Sequence, residues 1–208
     1  MDGWQDIADR LMERFPQAEL ASGASSTELS ALHDLYGAGA DEMLQWLSVC
    51  NGIDCGIKDS CRGILYSAQK ILDATRLFRS GGKPERVSWL PFADDECGDY
   101  DCVECSETKR VGSVFFLEQY HEPCYLLAGS FSSYLRFWSD SLLQKYLPDG
   151  TMDPRFKIPD LPHPPWLGEP EMEHPWPFDS FWLALNDPNA ARILSDRDLS
   201  MVYSSVRR

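Results

Sequence analysis

The sequence has no segment suited to export or to insertion in a membrane. Its first residues, MDGWQDIADRLMERF, lack the basic region and uninterrupted apolar core that make a secretory signal. No later stretch approaches the roughly 20 consecutive apolar residues that a membrane span needs. We therefore expect a cytoplasmic protein that does not bind a membrane.

The short motifs of the common enzyme classes are also missing. The chain contains no GxSxG, HExxH or phosphate-loop motif. None of its four histidines, which are His33, His121, His163 and His174, lies beside a glycine-framed serine. We predict no catalytic residue and no cofactor, and we expect a protein that is not an enzyme.

Basic residues are scarce. Lys and Arg number 19 against 33 Asp and Glu, which gives a formal net charge of −14. Such a charge disfavours contact with nucleic acid or anionic lipid and speeds encounter with a basic protein. We therefore expect a protein partner and no nucleic acid, although solubility alone is the simpler interpretation of the charge.

Seven cysteines are an odd number in a chain of 208 residues that carries no export signal. Disulfide frameworks belong to oxidising compartments and need paired cysteines. The count therefore favours reduced thiols. Apolar residues make up 43% and aromatic residues 12% of the chain, so it can bury one substantial core.

The first fifty residues carry helical patterns. Apolar residues recur at helical spacing from Trp4 to Phe15, and Pro16 ends that stripe. Ser25 and Glu28 have the form of a capping box for a second helix that ends at Gly37. A third helix is predicted from a cap at Asp41 to a stop at Asn51-Gly52, so that no strand precedes these helices.

Strand patterns dominate the middle of the chain. A short strand at Gly63–Tyr66 and a helix capped by Ser67 come first, and Ser130 opens the longest helix after the strands. Between them, β-branched and aromatic residues predict four strands at Val87–Ala93, 100–105, Val111–Leu117 and Pro123–Gly129.

The composition changes after residue 147. Nine of the fourteen prolines lie between Pro148 and Pro177, which excludes a long helix or a central strand there. Trp166 and Trp176 predict that this connector packs on the domain. Helical patterns resume at Asp179, Pro188 and Asp196. The predicted organisation is an α+β domain at 1–147, a connector at 148–178 and a helical extension at 179–208.

An acidic hairpin joins the first two of the four predicted strands. Because charge steers association, its carboxylates are candidate partner-binding residues, together with Trp166 and Trp176 of the connector. The acidic candidates are Asp94, Asp95, Glu96, Asp99, Asp101 and Glu104. A solvated turn without a binding role is the other interpretation.

The same region contains cysteines in a CxxC arrangement. Cys97, Cys102, Cys105 and Cys124 are weak candidates for a zinc site, since four soft ligands lie close in sequence. Alternation along a strand, however, points Cys102 and Cys105 to opposite faces. We expect small buried residues and no metal.

The order and spacing of these segments resemble the SUKH superfamily, also called the Smi/Knr-like family. The segments that carry the resemblance are SSTELSALHDLYG, WLSVCNG, GILYSAQKI, LPFADDECGDYDCVEC, VGSVFFLEQYHEP and SFSSYL, and together they span about residues 15–147. Cys102 and Cys105 stand where that family's hairpin is usually apolar, and the resemblance does not reach the connector or the C-terminal helices.

The resemblance implies an α+β fold with a mixed, mostly antiparallel sheet packed by helices. It also implies an immunity protein that binds and neutralises a cognate bacterial toxin, of nuclease or deaminase type with a basic surface, by stoichiometric occlusion. One alternative is an intracellular regulator or scaffold of the fungal cell-wall synthesis type. A second alternative is a zinc-binding enzyme that uses the cysteine cluster.

Overall fold

The computed structural model describes residues 3–58, 63–80, 87–94, 98–106, 111–117, 125–156 and 180–195. Seven α-helices and seven strands lie in this part of the chain. In order they are α1 (Trp4–Arg14), β1 (Glu19–Ser22), α2 (Ser26–Tyr36), α3 (Asp41–Val49), β2 (Cys50–Asp54), β3 (Ile64–Leu65), α4 (Ala68–Ser80), β4 (Trp89–Asp94), β5 (Tyr100–Glu104), β6 (Val114–Leu117), β7 (Tyr125–Ala128), α5 (Phe131–Lys145), α6 (Ser180–Asn186) and α7 (Pro188–Ser195).

The strands form two antiparallel sheets. One has the order β1-β2-β3, and the other is a four-stranded meander in the order β4-β5-β6-β7. The α+β class is thereby confirmed, and every pairing among the described strands is antiparallel. The meander follows from four β-rich segments joined by short connections, which pair most readily with their neighbours in sequence.

Three predicted helix caps are confirmed. Ser67 caps α4, since its Oγ accepts a hydrogen bond from the Lys70 amide at 3.2 Å. The Glu28 amide donates to Ser25 Oγ at 3.3 Å, and the Ser25 amide donates to the Glu28 carboxylate at 2.9 Å, which completes the capping box of α2. At the start of α5, the Ser133 amide donates to Ser130 Oγ at 3.1 Å. These side chains satisfy amides that have no partner inside the helix, and so they fix where each helix begins.

Two predictions for the N-terminal part of the chain are wrong. The strand β1 precedes α2, whereas no strand was expected before Gly63. Asp41 is the first residue of α3, and Ala40 occupies the cap position. α3 ends at Val49, close to the stop predicted at Asn51-Gly52, but the chain then continues as β2, which contains both residues and was not expected.

Asn51 and Gly52 form a bulge inside β2. Leu20 is opposite Ile53 and Ser22 is opposite Cys50, so two residues of β2 face the single residue Ala21. Gly52 has φ +91°, and a Cβ there would stand 2.7 Å from the Ser67 amide nitrogen. Only glycine permits this approach of two backbones.

The two sheets are joined where β3 meets β4. The Tyr66 amide, just after β3, donates to the Phe92 carbonyl of β4 at 2.9 Å. One face of the meander then packs against α5, where the Phe92 ring meets Phe131 and Tyr134 edge-on at 5.3 and 5.0 Å. Each such pair adds about 1 kcal/mol to the burial of its rings.

The C-terminal helices pack on the end of the meander. Leu183 of α6 and Ala190 and Ile193 of α7 are buried in the same core as the strands. Helices at Ser180 and Pro188 were predicted, and both are present. The predicted helix at Asp196 and most of the proline-rich connector lie outside the described residues, so the predicted domain limits stay a prediction.

One buried carboxylate holds α7 in place. Asp187 is 1% exposed, and it accepts hydrogen bonds from the Gly129 amide at 2.7 Å and from the Asn189 and Ala190 amides at 3.0 and 3.2 Å. The last two amides belong to the first turn of α7, so Asp187 caps this helix and ties it to the end of β7.

We predict that Asp187→Ala lowers the free energy of unfolding by about 2–3 kcal/mol, because three amides, two of them buried, lose their acceptor. Urea denaturation measures the change. The control is Leu185→Ala in α6, where the leucine is 70% exposed and the expected change is below about 0.5 kcal/mol. Equal stability of Asp187→Ala and the native chain would contradict this role of the carboxylate.

Candidate partner-binding surface

The acidic hairpin is the antiparallel pair β4–β5. Asp94 at the end of β4 is opposite Tyr100, and Pro91 is opposite Cys102. The register shifts between Pro91 and Ala93, which places one extra residue, Phe92, on β4. Of the predicted binding residues, Asp94, Asp99, Asp101 and Glu104 are described, whereas Asp95, Glu96, Trp166 and Trp176 lie outside the described residues.

Asp94 is half-buried and fixed at the start of the turn. Burial raises the pKa of Tyr66, and a hydrogen bond between the Tyr66 hydroxyl and Asp94 raises that pKa further. A phenol in such a bond donates to the carboxylate. The Lys70 ammonium lies 4.0 Å from the centre of the same tyrosine ring. The position of Asp94 is thus set by the buried Tyr66 hydroxyl.

Two of the other acidic candidates have partners inside the domain. Asp101 accepts a hydrogen bond from the Tyr134 hydroxyl of α5 at 2.6 Å. Glu104 is only 2% exposed and accepts a hydrogen bond from the Ser106 hydroxyl. Asp99 is half-buried. The hairpin therefore carries fewer solvent-facing carboxylates than its sequence suggests.

The cysteines behave as small core residues. Cys102 is fully buried on β5, opposite Phe115 of β6, and Cys105 lies just beyond β5 with its backbone against Gly39. Within the described residues, no three Cys, His, Asp or Glu side chains are grouped so that they could hold a metal ion. Two of the four zinc candidates, Cys97 and Cys124, lie outside that part of the chain.

Burial sets the chemistry of the thiols. It raises the pKa of Cys50, Cys55 and Cys105 to about 12 in each case, from an ordinary value of 9.0. Such thiols stay protonated at neutral pH, and a protonated thiol is a poor nucleophile and a poor metal ligand.

A second group of acidic side chains lies outside the hairpin. Residues 1–58 contain ten acidic and three basic residues, a formal charge of −7 and half of the total of −14. Seven of these carboxylates are exposed, and none of the seven forms an ion pair with another residue in the described part of the chain. They are Asp6, Asp9 and Glu13 of α1, Glu19 of β1, Asp34 of α2, Asp41 of α3 and Asp54 of β2.

The three basic residues of this segment have partners in a later part of the chain. Arg10 pairs with Asp140 at 2.9 Å, Arg14 donates to the Tyr146 carbonyl at 2.8 Å, and Lys58 lies 3.6 Å from Asp149. All three contact α5 or the turn that follows it. We call the seven exposed carboxylates the N-terminal acidic group; a count of charges by segment could have found it from the sequence.

A comparison with protein families now bears on the fold. The model of the SMI1 / KNR4 family (SUKH-1) matches residues 23–136, which is more than half of the chain. The chain belongs to the SMI1/KNR4 family. The match begins after β1 and ends within α5, so α1, β1, α6 and α7 lie outside it, although α1, α6 and α7 contribute residues to the same core. No curated protein matches the chain in a sequence search.

Family membership fits two kinds of function. Proteins with SUKH domains are generally non-catalytic, and they serve as immunity proteins or as regulators of the SMI1/KNR4 type. Both roles depend on binding another protein. Among the described residues, no helix has the length and hydrophobicity to cross a bilayer.

We predict that the stability of this protein falls as the pH rises above about 9. The three thiols have raised pKa values in the folded state, so their contribution is complete below pH 9 and is lost as the pH passes from 9 through 12. Tyr36, whose pKa burial raises to about 12 from 10.0, acts in the same direction. Urea denaturation at pH 7.5 and pH 10.5 measures the loss.

The control is the double variant Cys55→Ala and Cys105→Ala. It removes two of the titrating groups, so its loss between the two pH values should be smaller than that of the native chain. An identical pH dependence of the two proteins would show that other groups cause the alkaline loss.

Proposed function

We propose that this protein is an immunity protein that binds a cognate toxin and neutralises it by stoichiometric occlusion. The proposed toxin has a basic surface, as a nuclease or a nucleic-acid deaminase has where it binds phosphates. Family membership supports the class of function, because SUKH-domain proteins act by binding other proteins.

The observation that carries the proposal is the placement of unpaired negative charge. The seven carboxylates of the N-terminal acidic group are exposed and have no ion pair, whereas the basic residues of the same segment are paired with α5 and the turn after it. Uncompensated carboxylates on helices α1, α2 and α3 make a negative field on that part of the surface.

Such a field acts mainly on the encounter between two proteins. Opposite charge on the partner raises the association rate, and like charge suppresses wrong partners. An acidic inhibitor can also occupy a cleft that otherwise holds phosphate groups, which gives inhibition without chemistry. Asp94 and Asp99 of the hairpin would extend the same surface, and Asp95 and Glu96 belong to this proposal on their sequence position alone.

The regulatory role of the SMI1/KNR4 type fits the family equally well, so the test must separate the two. The gene next to this one is the first observation to make, since immunity proteins are encoded beside their toxins. The protein is then co-expressed with the toxin domain from that neighbouring gene. We expect growth to be rescued, and purification to recover both chains in a fixed ratio.

Failure of rescue with every neighbouring toxin domain, or neighbours that encode cell-wall synthesis proteins, would refute the immunity role. A catalytically inactive toxin variant keeps the binding measurement possible when the active toxin prevents growth. A soluble complex without rescue would mean that binding leaves the toxic site open.

We predict that charge reversal slows association with this toxin domain. Replacement of Asp9, Glu13 and Asp34 by Lys should lower the association rate constant by about tenfold at low salt, with a smaller effect at 0.5 M salt because the charges are screened. Stopped-flow fluorescence measures the rate constants.

The comparison set reverses Asp94, Asp95, Glu96 and Asp99 of the hairpin, one charge more than the helical set, so the two effects are compared per reversed charge. A larger effect of the hairpin set would place the contact there, and a larger effect of the helical set would place it on the N-terminal acidic group. If neither set changes the association rate constant, the hypothesis that these residues steer association is wrong.

A further inference from the structure

The edges of the two sheets differ in how they are covered. At one edge of the meander, β4 accepts a hydrogen bond from the Tyr66 amide after β3, and α4 packs beside it. At the other edge, β7 is covered by α6 and α7, which Asp187 ties to Gly129. In the small sheet, the edge formed by β3 lies next to β4, through the hydrogen bond of the Tyr66 amide. The remaining edge strand is β1, which α1 contacts but leaves with three of its four residues exposed.

β1 pairs with β2 on one side, and no described residue pairs with its other side. Glu19, Ala21 and Ser22 are exposed and Leu20 is half-buried. The bulge in this pair lies on β2, at Asn51 and Gly52, so it does not interrupt β1 itself. An open strand edge presents amides and carbonyls that can pair with another extended chain.

The charge at this edge has one sign. Glu19 is directly opposite Asp54 on the neighbouring strand, and both are exposed. Like charges at opposite positions of an antiparallel pair repel each other and weaken it. A strand added beside β1 would place a side chain next to Glu19 on the same face, and a lysine or arginine there would relieve the repulsion.

We propose that the β1 edge binds an extended basic segment of the protein partner by strand addition. Backbone hydrogen bonds to β1 hold the segment, and a cationic side chain next to Glu19 sets its register. The inference rests on the proposed function only for the positive charge of the partner, because the open edge and the Glu19–Asp54 pair belong to this chain.

A second copy of the chain is the other possible occupant of an open edge. Antiparallel pairing of two β1 strands would bring together two copies of a segment with a formal charge of −7 in its first 58 residues. The two chains, each with a net charge of −14, would repel each other. The charge therefore favours a basic partner strand over self-association.

The probe is an eight-residue peptide in which lysine alternates with valine and threonine, acetylated at its start and amidated at its end. Two matched peptides are a version with glutamate in place of lysine and a version of the lysine peptide with N-methylated central amides. Titrations of the full chain are followed by NMR, with amide hydrogen exchange measured at residues 19–22. The chain variants are Glu19→Lys and the control Asp34→Lys, which makes the same charge change on α2.

We expect the lysine peptide to bind and to slow hydrogen exchange of β1 amides. The N-methylated and glutamate peptides should not bind, since one lacks the amide donors and the other repels Glu19. Glu19→Lys should weaken binding of the lysine peptide by about fivefold, and Asp34→Lys by less than about twofold. Glu19→Lys should also stabilise the free chain, because the introduced ammonium group would face the carboxylate of Asp54.

Several results would overturn the proposal. The first two are a lysine peptide that does not bind, and a lysine peptide that binds but leaves hydrogen exchange of the β1 amides unchanged. The other two are equal weakening of peptide binding by Glu19→Lys and Asp34→Lys, and an N-methylated peptide that binds as tightly as the unmodified lysine peptide. A dimer that grows with concentration and protects β1 would assign the edge to a second copy. The peptide experiment does not involve the toxin, so its failure does not refute the immunity role. Lack of rescue in the co-expression experiment refutes the immunity role.

Discussion

The close contact between β2 and the segment that leads into α4 is the constraint on which the rest of the structure depends. The Asn51 side chain accepts a hydrogen bond from the Ala68 amide at 2.7 Å and so caps α4, while Gly52 lets the backbone at 65–67 approach. Within this approaching segment, the Tyr66 amide bonds to Phe92 and links the two sheets. A side chain at position 52 would separate these backbones, and both the helix cap and the junction between the sheets would be lost.

This junction explains how helices come to cover the large sheet. With α4 fixed by Asn51, its Phe78 ring meets Tyr100 of β5 edge-on at 5.4 Å. The Tyr36 hydroxyl of α2 forms a hydrogen bond with the Thr75 hydroxyl of α4 at 2.8 Å, so α2 and α3 lie on the same side of the large sheet as α4. On the other face, Tyr134 of α5 reaches Asp101. Because helices lie on both faces, adjacent residues Cys102, Val103 and Glu104 of β5 are all buried, which strict alternation in a half-exposed strand would not allow.

The same packing separates structural charge from surface charge. Carboxylates near the sheet accept hydrogen bonds from buried hydroxyl groups or amides, as Asp94, Asp101, Glu104 and Asp187 do. The exposed carboxylates of α1, α2 and α3 face solvent and form no ion pair with another described residue. This protein therefore has two acidic populations, one bonded inside the domain and one exposed on its surface.

The local sequence by itself determined the helices, the four strands of the meander and the α+β class, because apolar periodicity, the Ser25–Glu28 capping box and β-branched runs act over a few residues. It did not reveal β1, since Glu19–Ser22 has no alternating pattern and becomes a strand only through pairing with a segment distant in the chain, at Cys50–Asp54. The local sequence also did not indicate that Asn51 and Gly52 form a bulge, or that the Asn51 side chain caps the distant helix α4. Tertiary packing also decided which acidic residues face inward. Asp101 and Glu104 have the same charge as Asp34 and Glu19, but they lie on a strand covered by helices, where Asp101 meets the Tyr134 hydroxyl and Glu104 is 2% exposed.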